Sequence, residues 1–154
     1  MKYRWMISVM AFLLFFLIGA WAVLLVYHRS DYTLTERSFT RRALAVVEES
    51  SGLKMPDKSR GLNMLYVGSR GKPYFVAKIG IPSEAEAEIK EQVGLPAYED
   101  FHASGTLSER VTWWNPAKLG IFAERKYMVG NAYVQALLCH ENQQVVLFIE
   151  WMSM

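Results

Sequence analysis

The sequence predicts an α+β fold: one N-terminal transmembrane helix followed by a small domain with an antiparallel sheet and two helices on one face. Three observations predict it. Residues 6–27, MISVMAFLLFFLIGAWAVLLVY, carry no charged side chain. Two stretches of helical periodicity open on Thr33-x-x-Glu36 and Ser83-x-x-Glu86, patterns in which a hydroxyl and a carboxylate cap the first turn. The apolar runs AYVQALLC at 132–139 and VVLFIEW at 145–151 read as strands joined by a polar hairpin loop at 140–144.

Take the leading stretch first. As a helix, residues 6–27 rise ~33 Å at ~1.5 Å per residue, against a hydrocarbon core of ~30 Å. A secretory signal needs a shorter apolar region and a small-x-small cleavage site. Ala20-Trp21-Ala22 fits that spacing only from inside the run. A retained anchor is therefore expected, with residues 1–5 as a cytoplasmic tail and 28–154 as the globular domain. Tyr3, Trp5 and Tyr27 stand at the ends of the run, where amphipathic rings favour the headgroup level. Lys2 and Arg4 favour a cytoplasmic N-terminus, while Arg29, Arg37, Arg41 and Arg42 follow the run and oppose it. The expected placement is the bacterial inner membrane, single-pass, with the C-terminal domain periplasmic.

The chain has 17 basic and 15 acidic side chains. Setting aside Lys2 and Arg4, the two signs balance, so no basic stripe for nucleic acid is expected. Cys139 is the single cysteine and cannot close an internal disulfide.

The domain is expected to open with a helix over 33–50, its apolar positions Phe39, Ala43, Val46 and Val47, stopped by Gly52. Arg37, Arg41 and Arg42 on it would meet either anionic headgroups or water. Residues 53–60, with Pro56, read as a loop or an edge strand. Strands are expected at 62–68 and 73–79, with Ser69-Arg70-Gly71 turning between them. The second helix is expected over 81–93, ended by Gly94 and Pro96. Residues 95–119 are irregular and aromatic. Within them stands Trp113-Trp114-Asn115-Pro116, read as extended, which points adjacent side chains to opposite faces. This pair serves either as a cap on the core or as a binding surface. A strand at 121–129 and a turn at Gly130-Asn131 lead to the last hairpin. Residues 145–149, VVLFI, are apolar on both faces, so that strand needs two covers.

Chemistry is sparse. His28, His102 and His140 fall in no ligand spacing, and Cys139-His140-Glu141 on a strand cannot converge. No nucleophile elbow, dinucleotide loop or phosphate loop occurs. The expectation is no catalytic residue, no cofactor and no metal.

Ser51-Gly52-Leu53-Lys54-Met55-Pro56 ahead of a hairpin, Ile79-x-Ile81-Pro82 ahead of a helix, and Trp113-Trp114-x-Pro116 ahead of a final hairpin form a pattern over roughly 45–151. It resembles uncharacterised bacterial envelope proteins that carry a small α+β domain on a single span or a lipid anchor. The resemblance implies an envelope location and no catalytic residues.

The functional expectation is a membrane-anchored, non-catalytic protein-binding module of the bacterial envelope, an assembly factor or an immunity-type protein. Its partners would be the lipid bilayer through 6–27 and an unidentified protein through Trp113, Trp114 and Pro116, with no nucleic acid. The alternative is a small-ligand binder or enzyme using loop 95–119, with His102 and Glu99 or Asp100 as actors.

Overall fold

A computed structural model of the chain describes residues 2–29, 31–68, 72–95 and 111–154, with side chains described at 9–10, 12–23 and throughout the described residues from 31 onward. Among the described residues, six strands form one antiparallel sheet in the order β1-β2-β3-β6-β5-β4. They are β1 (Tyr32–Thr35), β2 (Arg60–Val67), β3 (Tyr74–Ile81), β4 (Ile121–Val129), β5 (Ala132–Glu141) and β6 (Gln144–Ser153). The helices are α1 (Lys2–Arg29), α2 (Arg41–Ser51), α3 (Glu86–Val93) and the single turn α4 (Pro116–Leu119).

The expected transmembrane helix is corrected. Among the described residues no helix is long and apolar enough to cross a membrane.

The first domain helix also starts later than its sequence pattern. Residues 32–35 pair with β2, Tyr32 opposite Tyr66 and Thr35 opposite Asn63. Thr33 is thus a strand residue, and the cap falls to Thr40, whose Oγ1 accepts from the Ala43 amide at 3.4 Å. Arg37 lies in the intervening turn, while Arg41 and Arg42 open α2. Gly52 ends α2 in the left-handed region at φ 67°, its amide reaching the Glu48 carbonyl. A second expected cap also gives way. Residues Ser83–Ala85 form a short 3-10 turn without a side-chain cap, and α3 begins only at Glu86.

α2 and α3 bury one face of the sheet. Val47, Ile89 and Val93 are fully enclosed against Phe75, Ala77, Ile79 and Ile81 of β3 and Val145, Leu147 and Ile149 of β6. Polar links lock this layer where helix ends would otherwise leave orphan carbonyls. The Tyr127 hydroxyl donates to the Ser51 carbonyl at 2.7 Å, joining β4 to the end of α2. Burial pushes that phenol well above its ordinary pKa, so it stays a donor. Gln92 both accepts from the Lys54 amide (2.9 Å) and donates to the Lys54 carbonyl (3.0 Å), tying α3 to the loop after α2.

The last hairpin is tighter than its sequence suggests. Glu141 pairs with Gln144, leaving Asn142 and Gln143 as a two-residue turn with φ 49° and 66°. Both central residues in the left-handed region make the turn whose twist matches flanking strands. Asparagine tolerates that region well, so the strands extend over residues read as loop.

Gly61 shows how closely the helical layer sits on β2. A methyl at this position would overlap the Phe39 ring, which enters the core ahead of α2. Gly61→Ala is expected to destabilise the domain by about 1–3 kcal/mol through overpacking. A shift in the urea midpoint at unchanged slope would register it.

Candidate functional site

The opposite face of the sheet carries the sequence-nominated residues. Strand alternation points Lys78, Phe148, Glu150, Cys139 and Glu141 to this side, away from α2 and α3. Phe148 is at its centre, fully buried with Val146, Leu137 and Cys139. Trp114 and Leu119 pack on this cluster as its cover. The Trp114 ring meets Phe148 edge-on at 5.3 Å. Trp113 meets Trp114 edge-on at 6.1 Å. The expectation that the two rings point to opposite faces is corrected. Residues 112–113 form a turn rather than a strand, closed by the Trp114 amide donating to the Val111 carbonyl at 3.2 Å. A turn places neighbouring side chains together where a strand would separate them.

Pro116 is buried at the first position of α4, where a missing N–H costs nothing. Its carbonyl accepts the Cys139 thiol at 3.7 Å. Burial, with Glu141 nearby, pushes that thiol up to about 11, so it is an inert packing group. The three nominated residues therefore sit together, in graded roles. Pro116 is interior, Trp114 is a half-buried plug, and Trp113 is half-buried against the plug's outer side.

Beside them lie charges that sequence reading passed over. Lys78 is only 7 % exposed, and its Nζ lies 2.7 Å from Glu141 Oε2 and 5.4 Å from the centre of the Phe148 ring. Glu150 is 3 % exposed, with Oε1 accepting the Tyr74 hydroxyl at 2.8 Å. Burial raises its carboxyl above the ordinary range, offset in part by the Tyr74 hydrogen bond. The available signal was a single charge inside each of two apolar strands, PYFVAKI and VVLFIEW. The partner of Lys78 lies 63 residues away in the chain, beyond what spacing can reveal.

His140 faces the helical side instead. It stacks on Phe122 at 4.4 Å, with Nε2 3.4 Å from Glu86 Oε1. His140 thus points away from Cys139 and Glu141, as strand alternation requires. Among the described residues, no group of three or more His, Cys, Asp or Glu could hold a metal. His102, Glu99 and Asp100 lie outside the described residues, and so does most of loop 95–119. A cleft of about 500 Å³ opens between α2 and residues 54–61, with Phe39, Leu44 and Met55 among its lining and Arg41 and Asp57 at its rim. None of Trp113, Trp114 and Pro116 lines it.

No family model matches the chain, and neither a curated protein nor a solved structure matches it.

The graded burial of the tryptophans separates their substitutions. Trp114→Ala is expected to cost about 3 kcal/mol by uncovering Phe148, whereas Trp113→Ala is expected to stay within about 1 kcal/mol. Chemical denaturation of both variants checks this. Glu150 gives a pH signature. A carboxyl raised in the folded state binds its proton more tightly there than in the unfolded chain, so stability falls as pH climbs from the ordinary carboxylate range through the raised folded value. Glu150→Gln keeps an acceptor for Tyr74 and removes the charge. It is expected to be more stable than the parent at neutral pH, with the difference shrinking on acidification, as read from urea midpoints across that range.

Proposed function

We propose that this chain is a non-catalytic protein-binding module held at the bacterial inner membrane by its apolar α1 helix, its sheet domain on the periplasmic side. The observation that carries the reading is the bare flank of α1. From Phe12, 72 % exposed, through Phe15, 79 %, to Trp21 and Val23, each 67 %, its large apolar side chains are turned outward. Such a surface in water is costly at roughly 25 cal/mol per Å². An exposed apolar patch of this kind marks a site for lipid or protein. Association with a lipid surface meets that demand without asking anything of the domain's own core.

The binding role rests on Trp113. It is half-buried, carries a large rigid ring, and is backed by Trp114 and Phe148. Aromatic anchors of this kind dominate interface energetics. An envelope assembly factor or an immunity-type protein needs an anchor and a recognition surface and no reacting group.

Two measurements test the reading together. The full-length protein is expected to sediment with membranes and with lipid vesicles and to be released from both by detergent. Crosslinking pull-down from those membranes is expected to retrieve a protein that Trp113→Ala fails to retrieve while keeping the parent's melting temperature. Release into plain buffer would defeat the membrane half. Equal capture by Trp113→Ala would defeat the binding half.

A further inference from the structure

β4 ends the sheet, and among the described strands only β5 pairs with it. Among the described residues, the outer N–H and C=O groups of this nine-residue strand have no ladder partner, whereas the opposite edge, β1, has four residues. Native edges are usually blunted by Pro, by shortness, by a bulge or by charges. β4 is long and has no Pro; its bulge is confined to its start, between Ile121 and Ala123, and its charges are of both signs. Its centre reads Glu124-Arg125-Lys126, and Ile121 and Met128 are exposed toward its ends. From this pattern we infer that β4 is a dimerisation edge that pairs antiparallel with β4 of a second copy of this chain, in the register centred on Arg125.

Among registers centred within the charged triplet, charge and face select that one. An isologous pairing is self-complementary about a two-fold axis. Slipping one residue would put opposite faces against each other, so only centres on single residues are allowed. Centring on Glu124 sets carboxylate against carboxylate, and centring on Lys126 sets ammonium against ammonium. Centring on Arg125 sets each Glu124 opposite Lys126 of the second copy, on the face shared with Leu137 and Gln135. Directly opposite side chains lie ~5 Å apart at Cβ. Within one chain Glu124 Oε1 and Lys126 Nζ already sit 3.2 Å apart, so pairing would close a ring of four alternating charges.

Arg125 would face its own copy across the axis, which would ordinarily forbid the arrangement. Here its guanidinium is drawn off the edge. Nη1 donates to the Gln92 carbonyl at 3.2 Å, and Cζ lies 4.3 Å from the Tyr127 ring centre. The guanidinium is thereby engaged by Gln92 and Tyr127 of its own chain.

The test uses the full-length chain in mild detergent, with mass measured by light scattering across a dilution series. The parent is expected to dimerise. Because the symmetry repeats each substitution, Glu124→Lys and Lys126→Glu are each expected to weaken dimerisation about tenfold, and the double exchange to restore it to within about threefold. In parallel, oxidation of Glu124→Cys chains mixed with Lys126→Cys chains is expected to give a disulfide dimer that neither gives alone. A monomeric parent overturns the proposal. So does a dimer that ignores both single reversals, a double exchange that fails to restore it, or a disulfide formed by either cysteine variant alone.

Discussion

Both faces of β6 must be covered at once. Residues 145–149 are apolar without alternation, and β6 lies inside the sheet between β3 and β5. An antiparallel sheet commonly turns one face to water, and this one does not have that option at its centre. α2 and α3 answer on one side through Val47, Ile89 and Val93. On the other side Trp114 and Leu119 answer at Phe148. Much of the rest follows from that double demand. The tryptophan turn is held against the sheet by packing on Phe148, and α4 is fixed there by Pro116 and the Cys139 thiol.

The same demand explains the unusual charges. A lysine and a glutamate inside apolar strands cannot be left unpaired where water is excluded. Lys78 finds Glu141 because the tight turn at Asn142-Gln143 extends β5 by the two residues that carry it there. Glu150 accepts a neutral hydroxyl, that of Tyr74, and burial makes its carboxyl hold its proton more tightly despite that bond. Breaking one partner of such a buried pair costs far more than an exposed pair of the same geometry. The exposed Arg41–Asp57 pair, at 3.7 Å, contributes little by the same reasoning.

Periodicity made the interior legible. Residues 73–79, 132–139 and 145–151 announce strands by composition, the first running on to Ile81, and Gly52 and Gly94 mark helix ends where the chain does turn. What sequence misreads is competition between local patterns. Thr33 and Glu36 satisfy a capping pattern, yet Tyr32 gains a stacked partner in Tyr66, rings 4.9 Å apart, by joining the sheet. Ser83 follows Pro82, and the chain takes a 3-10 turn before α3 rather than a capped first turn. The candidate site was half legible. Adjacent tryptophans announce themselves, but which one plugs the sheet depends on a turn that no periodicity encodes. The Lys78–Glu141 pairing is set by register across three strands, which is invisible along a single one.

One consequence concerns mechanics. β1 is the first strand after α1, it has only four residues, and it lies at the sheet's rim, with Asp31 accepting the Gly68 amide just ahead of it. Any tension arriving along the N-terminal helix enters the domain at that point. Rungs of the β1–β2 ladder would then part in succession, starting at Tyr32, each bearing the load alone. Freed in this way, residues 32–35 add ~13 Å of slack, while β2 and everything behind it stay assembled. The rim strand is in effect a sacrificial link, yielding to pull before the packed layers feel it.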